Sequence, residues 1–162
     1  MAASEADLFR RLDELGIKTD TVRHPPVFTV EEARAHRGTI AGGHCKSLFL
    51  KDRSGMLWLI VMLEDSRLNM RLTEKVLGAQ RFSFASPELM RAVLGVEPGS
   101  VTPFSLVNDT AKEVRVVLQE AMLAHERLNY HPLTNTATTT IATQDLLTLV
   151  RAQGHEPVIA AL

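Results

Sequence analysis

The sequence predicts a single α+β domain in which a mainly antiparallel sheet is surrounded by helices. Strand-like runs stand in hairpin spacing, most plainly His44 to Leu50 and Met56 to Leu63, joined through the turn Asp52-Arg-Ser-Gly55. Capped helical segments are scattered among the strands without regular βαβ alternation. The 162 residues are 45% hydrophobic and 23% charged. That suffices for one core burying roughly 70% of the unfolded surface. With no repeat or low-complexity linker, residues 1–162 are expected to form one domain.

Taken in order, the first helix begins at Ser4, capped reciprocally with Asp7, turns Leu8, Leu12 and Leu15 inward and stops at Gly16. A short strand over Thr21 to Arg23 runs into Pro25-Pro26, and Thr29-Val-Glu-Glu32 caps a short helix over Val30 to His36. The loop Arg37 to Gly43 leads into the hairpin. Leu68, Leu72 and Val76 mark the inward face of a helix closed by Gly78, and Arg81 to Phe84 is a short strand. Ser86-Pro87 opens a helix that Gly95 closes. Strands are expected over Phe104 to Val107, Val114 to Leu118, Leu128 to His131 and Thr136 to Ile141. A last helix, capped by Thr143, ends at Gly154.

Composition excludes several classes. The longest wholly apolar run, Met56 to Leu63, is far short of the ~20 residues of a membrane helix. The acidic N-terminus lacks the pattern of a secretory signal, and a single cysteine, Cys45, forbids an internal disulfide, so a cytoplasmic protein with no membrane partner is expected. A formal charge of −1 argues against an overall polybasic nucleic-acid binder. Charge is nevertheless uneven. Residues 23–53 carry Arg23, Arg34, Arg37, Lys46, Lys51 and Arg53 against three acids, with Arg71, Lys75 and Arg81 as a second group. Such an excess suits a phosphate backbone, or is simply a solvated basic face.

Lys46 is the oddest residue, because strand alternation places it on one face with Leu48 and Leu50. A lysine there lines a cavity, guards a sheet edge or snorkels to water. His44 and Cys45 are adjacent on a strand, point to opposite faces and make a poor thiolate–base pair. The histidines form no H-E-x-x-H or C-x-x-C partner set, so no metal or other cofactor is expected, and no G-x-S-x-G elbow appears. Gly99-Ser-Val-Thr-Pro103 follows Glu97-Pro98 and reads as a rigid displayed loop, offering main-chain groups to a ligand or merely connecting two elements. The stretch His131 to Thr140 places a histidine, an amide and several hydroxyls in and after one strand, as a ligand site or as plain β-propensity.

Four segments in register, His24-Pro-Pro-Val-Phe-Thr29, Cys45-Lys-Ser-Leu-Phe-Leu50, Pro98-Gly-Ser-Val-Thr-Pro-Phe104 and Asn129-Tyr-His-Pro-Leu-Thr-Asn-Thr-Ala-Thr-Thr139, resemble the YbaK/ProX family of aminoacyl-tRNA editing domains. The resemblance runs from about residue 20 to the C-terminus and looks closest to the freestanding branch that clears alanine from proline tRNA. It implies hydrolysis of the ester at the 3′-terminal adenosine, without a cofactor, with mischarged tRNA as substrate and prolyl-tRNA synthetase as a further partner. It carries catalytic roles to Lys46 and to the loop Gly99, Ser100, Val101, Thr102 and Pro103. Substrate-binding roles fall on His24, Val27, Phe28, Ser47, His131 and Asn135, and the basic excess noted above offers Arg34, Arg37 and Arg81 as tRNA contacts. Ser47 stands where many relatives have asparagine. A non-catalytic tRNA or DNA binder and an inactive regulator of a synthetase are the alternatives.

Overall fold

The computed structural model describes residues 2–26 and 40–162. The expected helix over Val30 to His36 lies outside them. α1 (Glu5–Glu14) opens on Ser4, whose hydroxyl accepts from the Asp7 amide while the Asp7 carboxylate accepts from the Ser4 amide. β1 (Thr19–Arg23) follows, and β2 (Gly43–Asp52) and β3 (Leu57–Leu63) form the hairpin. Asp52 pins its turn, accepting from the Ser54 and Met56 amides and from the Trp58 indole. Next come α2 (Met70–Leu77), β4 (Phe82–Phe84) and α3, which starts as an α-helix over Pro87–Leu89 and continues as a π-helix over Met90–Leu94. A 3-10 segment over Pro103–Asn108 precedes β5 (Val114–Gln119), and another over Ala121–Ala124 precedes β6 (Arg127–Tyr130). β7 (Ala137–Ala142), α4 (Thr143–Ala152) and β8 (Val158–Ala160) complete the chain.

The described strands make one eight-stranded sheet in the order β1-β7-β6-β2-β3-β5-β8, with β4 joining β2. β1/β7, β7/β6, β2/β3 and β2/β4 are antiparallel; β6/β2, β3/β5 and β5/β8 are parallel. The mixed, mostly antiparallel character matches the sequence. Alternate residues of β3 enter two cores. Leu57, Leu59 and Val61 join Leu8 and Leu12 of α1, Val93 of α3 and Leu146 of α4 on one face. Trp58, Ile60 and Met62 pack with Leu50, Phe82 and the α2 side on the other.

Four expectations are corrected. Phe104 to Val107 is a 3-10 segment, because Thr102 caps it by accepting from the Phe104 amide and Pro103 sits in its first turn. In α2, Leu72 and Val76 face water at 54% and 51% exposure; the stripe Met70, Thr73, Leu77 turns inward, toward Trp58 and Phe82. Thr143 begins α4 instead of capping it, and its hydroxyl donates to the His125 carbonyl. β8 was unforeseen, a three-residue strand held by parallel pairing to β5.

Asp109 supplies a buried polar anchor at the end of the first 3-10 segment. It accepts from the amides of Glu113 (3.0 Å) and Val114 (2.9 Å), and His155 Nε2 lies 2.8 Å from its Oδ2. This ties the entry of β5 to the loop after α4.

Candidate active site

The site grows from an interruption in sheet pairing. β3 covers one edge of β2 continuously from Cys45 to Lys51. On the other edge, β6 pairs only with Gly43 and His44, and β4 only with Leu50 to Asp52. Between them the Phe49 carbonyl accepts from the Ala85 amide at 3.0 Å, while the His44 carbonyl faces β3 and accepts from the Glu64 amide. Strand alternation therefore turns the main-chain groups of Ser47 toward the stretch of edge that no described strand covers. The Asn129 amide holds the upper end in place: Nδ2 donates to the Ala41 and Gly43 carbonyls, and Oδ1 accepts from Thr140.

A cleft of about 350 Å³ opens at this gap. Lys46 and Ser47 form its β2 side, Gly99 and Val101 the facing loop, and His131 and Glu64 its ends. Gly99 has φ +91°, a left-handed conformation that glycine reaches without strain, and the turn closes with the Ser100 amide donating to the Glu97 carbonyl. Such a turn leaves main-chain groups displayed rather than folded inward. Lys46 is half-buried and stands opposite Met62 in the register, on the face of Leu48 and Leu50 as alternation predicts.

His131 closes the cleft from the end of β6. Its Nδ1 lies 3.0 Å from the Ala137 carbonyl and donates to it, which leaves Nε2 as an acceptor. Burial is the main cause that lowers its pKa, so the ring is neutral at pH 7. His24 stands behind it, ring centroids 6.3 Å apart, held between the Pro25 carbonyl and the Thr138 hydroxyl. His24 supports His131 without lining the cleft.

The remaining expected residues divide. Ser100, Thr102 and Pro103 are buried in the framework of the loop, leaving Gly99 and Val101 on the cleft. Asn135 lines a neighbouring recess with Ser100 and Leu133, its amide 4.0 Å from where a Cβ on Gly99 would stand. Arg81 is exposed just before β4. Val27, Phe28, Arg34 and Arg37 lie outside the described residues. Glu64, Phe84, Met90 and Tyr130 line the cleft and were missed. Met90 sits where α3 becomes a π-helix, a distortion frequent at functional sites that its sequence does not announce.

Cys45 also lines the cleft, from the face opposite Lys46. Burial raises its thiol to about 11, so it is not a thiolate at neutral pH. Cys45→Ser is expected to keep turnover within about threefold of wild type, since a Brønsted-active thiolate is absent; a loss beyond tenfold in a protein of unchanged melting temperature would restore a thiol mechanism. Among the described residues, no group of three or more His, Cys, Asp or Glu is placed to hold a metal.

The α+β sheet thus carries a cleft walled by a lysine, a displayed glycine turn and a neutral histidine, a concave place with a few convergent polar groups. The sequence model of the aminoacyl-tRNA editing domain matches residues 24–149, and the chain belongs to that family. It is 41% identical to mouse prolyl-tRNA synthetase associated domain-containing protein 1, with 98% of each chain covered. It is 31% identical to the prolyl-tRNA editing protein ProX of Acetoanaerobium sticklandii, over 96% of this chain and 94% of that one. A crystal structure described as a candidate trans-editing enzyme for prolyl tRNA synthetase shares the fold at a TM-score of 0.74 and 23% identity, covering 100% and 98% of the two chains.

Proposed function

We propose that this protein is a freestanding deacylase that hydrolyses mischarged tRNA, removing alanine from proline tRNA. The observation that carries the reading is the cleft itself: a cation, displayed main-chain groups and a neutral histidine converge at the gap in β2. Family membership and the name of the ProX relative support the same substrate class.

An aminoacyl ester is already activated, so positioning one water and stabilising the oxyanion suffices. Water adds to the carbonyl carbon, the bond to the ribose oxygen breaks, and the proton of the water ends on that oxygen. Main-chain groups of Gly99 to Val101 hold the carbonyl or the water, and Lys46 holds the oxyanion or the terminal nucleotide. Arg81, with Arg34 and Arg37, takes acceptor-stem phosphates. The relatives named for association with prolyl-tRNA synthetase support that enzyme as a partner, and a lone cysteine suits the cytoplasm.

A synthetase pocket shaped for proline excludes alanine weakly, since each missing methylene is worth only about 1–3 kcal/mol. A second, smaller sieve removes the error. His131 forms its far wall, and His131→Ala should raise hydrolysis of Pro-tRNA by roughly tenfold to a hundredfold relative to Ala-tRNA of proline identity. The measurement is the ratio of kcat/KM for the two esters; an unchanged ratio moves the size limit to other residues. The function itself is tested by deacylation across a panel of mischarged tRNAs. Equal cleavage of Ala- and Pro-tRNA, or binding without turnover, would overturn it in favour of an unselective esterase or a binding module.

A further inference from the structure

Phe84 is the one exposed aromatic side chain among the described residues, at 65% exposure, and it lines the same cleft as Lys46 and His131. Its backbone is fixed on every side. Phe84 pairs with Leu50 of β2, the next residue's amide donates to the Phe49 carbonyl, and the Phe82 amide donates to Glu74 of α2 at 2.7 Å. Phe82 itself is buried and meets Trp58 edge-on, with ring centroids 5.8 Å apart. The ring of Phe84 is thus held out to water from a rigid strand, an arrangement that packing does not explain.

Lys46 and Glu64 share the cleft with it. Lys46 lies on the same face of β2 as Leu50, the partner of Phe84, about 13 Å along the strand, and Arg81 precedes β4 and is exposed; Lys51, which pairs with Ser83, projects from the opposite face. Glu74, the nearby acid of α2, is engaged with the Phe82 amide. An exposed flat ring in one cleft with a lysine is a combination that takes the end of a single-stranded nucleic acid, a base on the ring and a phosphate on the charge.

We infer that Phe84 is a stacking platform for the terminal adenine of the tRNA, so that the base rests on β4 while the ester enters the gap in β2. This rests on the deacylase reading and adds the group that grips the nucleoside. Neither Arg81 nor Lys46 can supply that grip, because charges hold phosphates without distinguishing a base from its absence.

The test uses an alanyl hairpin RNA with the proline acceptor stem and the same RNA with an abasic terminal ribose. Removing the base from the substrate, or Phe84→Ala in the protein, should each raise KM by roughly 5- to 150-fold, with kcat less affected. The two losses should not add, and Phe84→Trp should restore KM on the intact RNA only. Losses that multiply, or an unchanged KM in Phe84→Ala, overturn the platform. If the wild type deacylates no aminoacyl-tRNA, the deacylase reading falls alone, and binding of the uncharged hairpin decides the platform: weakened binding in Phe84→Ala sustains it, and equal binding removes it.

Discussion

Lys46→Ala should lower kcat/KM for deacylation by about 10²- to 10³-fold, the usual cost of losing one group that meets developing charge. The melting temperature should move by no more than about 2 °C, since a half-buried lysine outside a polar network contributes on the order of 0.5 kcal/mol. The reasoning is geometric. Lys46 lines the cleft at the gap in β2, where the sheet itself asks for no cation. Lys46→Arg should recover little, because a planar fork does not occupy the place of a compact ammonium. Near-normal turnover in a stable Lys46→Ala protein would return the residue to guarding the sheet edge.

Asp109→Ala should cost about 3–5 kcal/mol of stability, since it strips three buried or part-buried donors of their acceptor at roughly 1–3 kcal/mol each. The carboxylate accepts from the buried Val114 amide, from the Glu113 amide and from His155, all of which lose their acceptor at once. His155 is poorly placed to find another, since its Nδ1 is already buried without a hydrogen-bond partner. At this chain length the melting temperature should fall by about 10–15 °C. Urea unfolding should show a lower midpoint at unchanged slope. A loss under 1 kcal/mol would mean that water or a shifted His155 replaces the carboxylate.

Local signals carried most of the fold. The Ser4–Asp7 cap, the turn at Asp52 and the left-handed Gly78 are all decided within a few residues of themselves, and each stands where the sequence placed it. Phe104 to Val107 failed for an instructive reason: its apolar residues suit a strand, yet Thr102 and Pro103 before it start a 3-10 turn. The face of α2 was misread because two apolar stripes compete on it, and only the positions of Trp58 and Phe82 choose between them. β8 depends on a parallel partner some forty residues away, beyond any local pattern.

The site was legible as residues and illegible as a place. Alternation put Lys46 on an unexpected face, and a resemblance of ordered segments named Gly99 and His131 with it. The gap itself follows from where β6 stops and β4 begins along β2, which are tertiary facts. Glu64, Met90 and Phe84 reach the cleft only through that arrangement.

The interrupted edge of β2 also fixes when a newly made chain becomes competent. Gly43 to Phe49 leave the ribosome early, but their upper boundary is the Asn129 clamp and their end wall is His131. At about 5–20 residues per second, the N-terminal half waits several seconds for the strand that frames its cleft. A chain arrested before β6 has the hairpin and the lysine but lacks the Asn129 clamp and the His131 wall of its cleft.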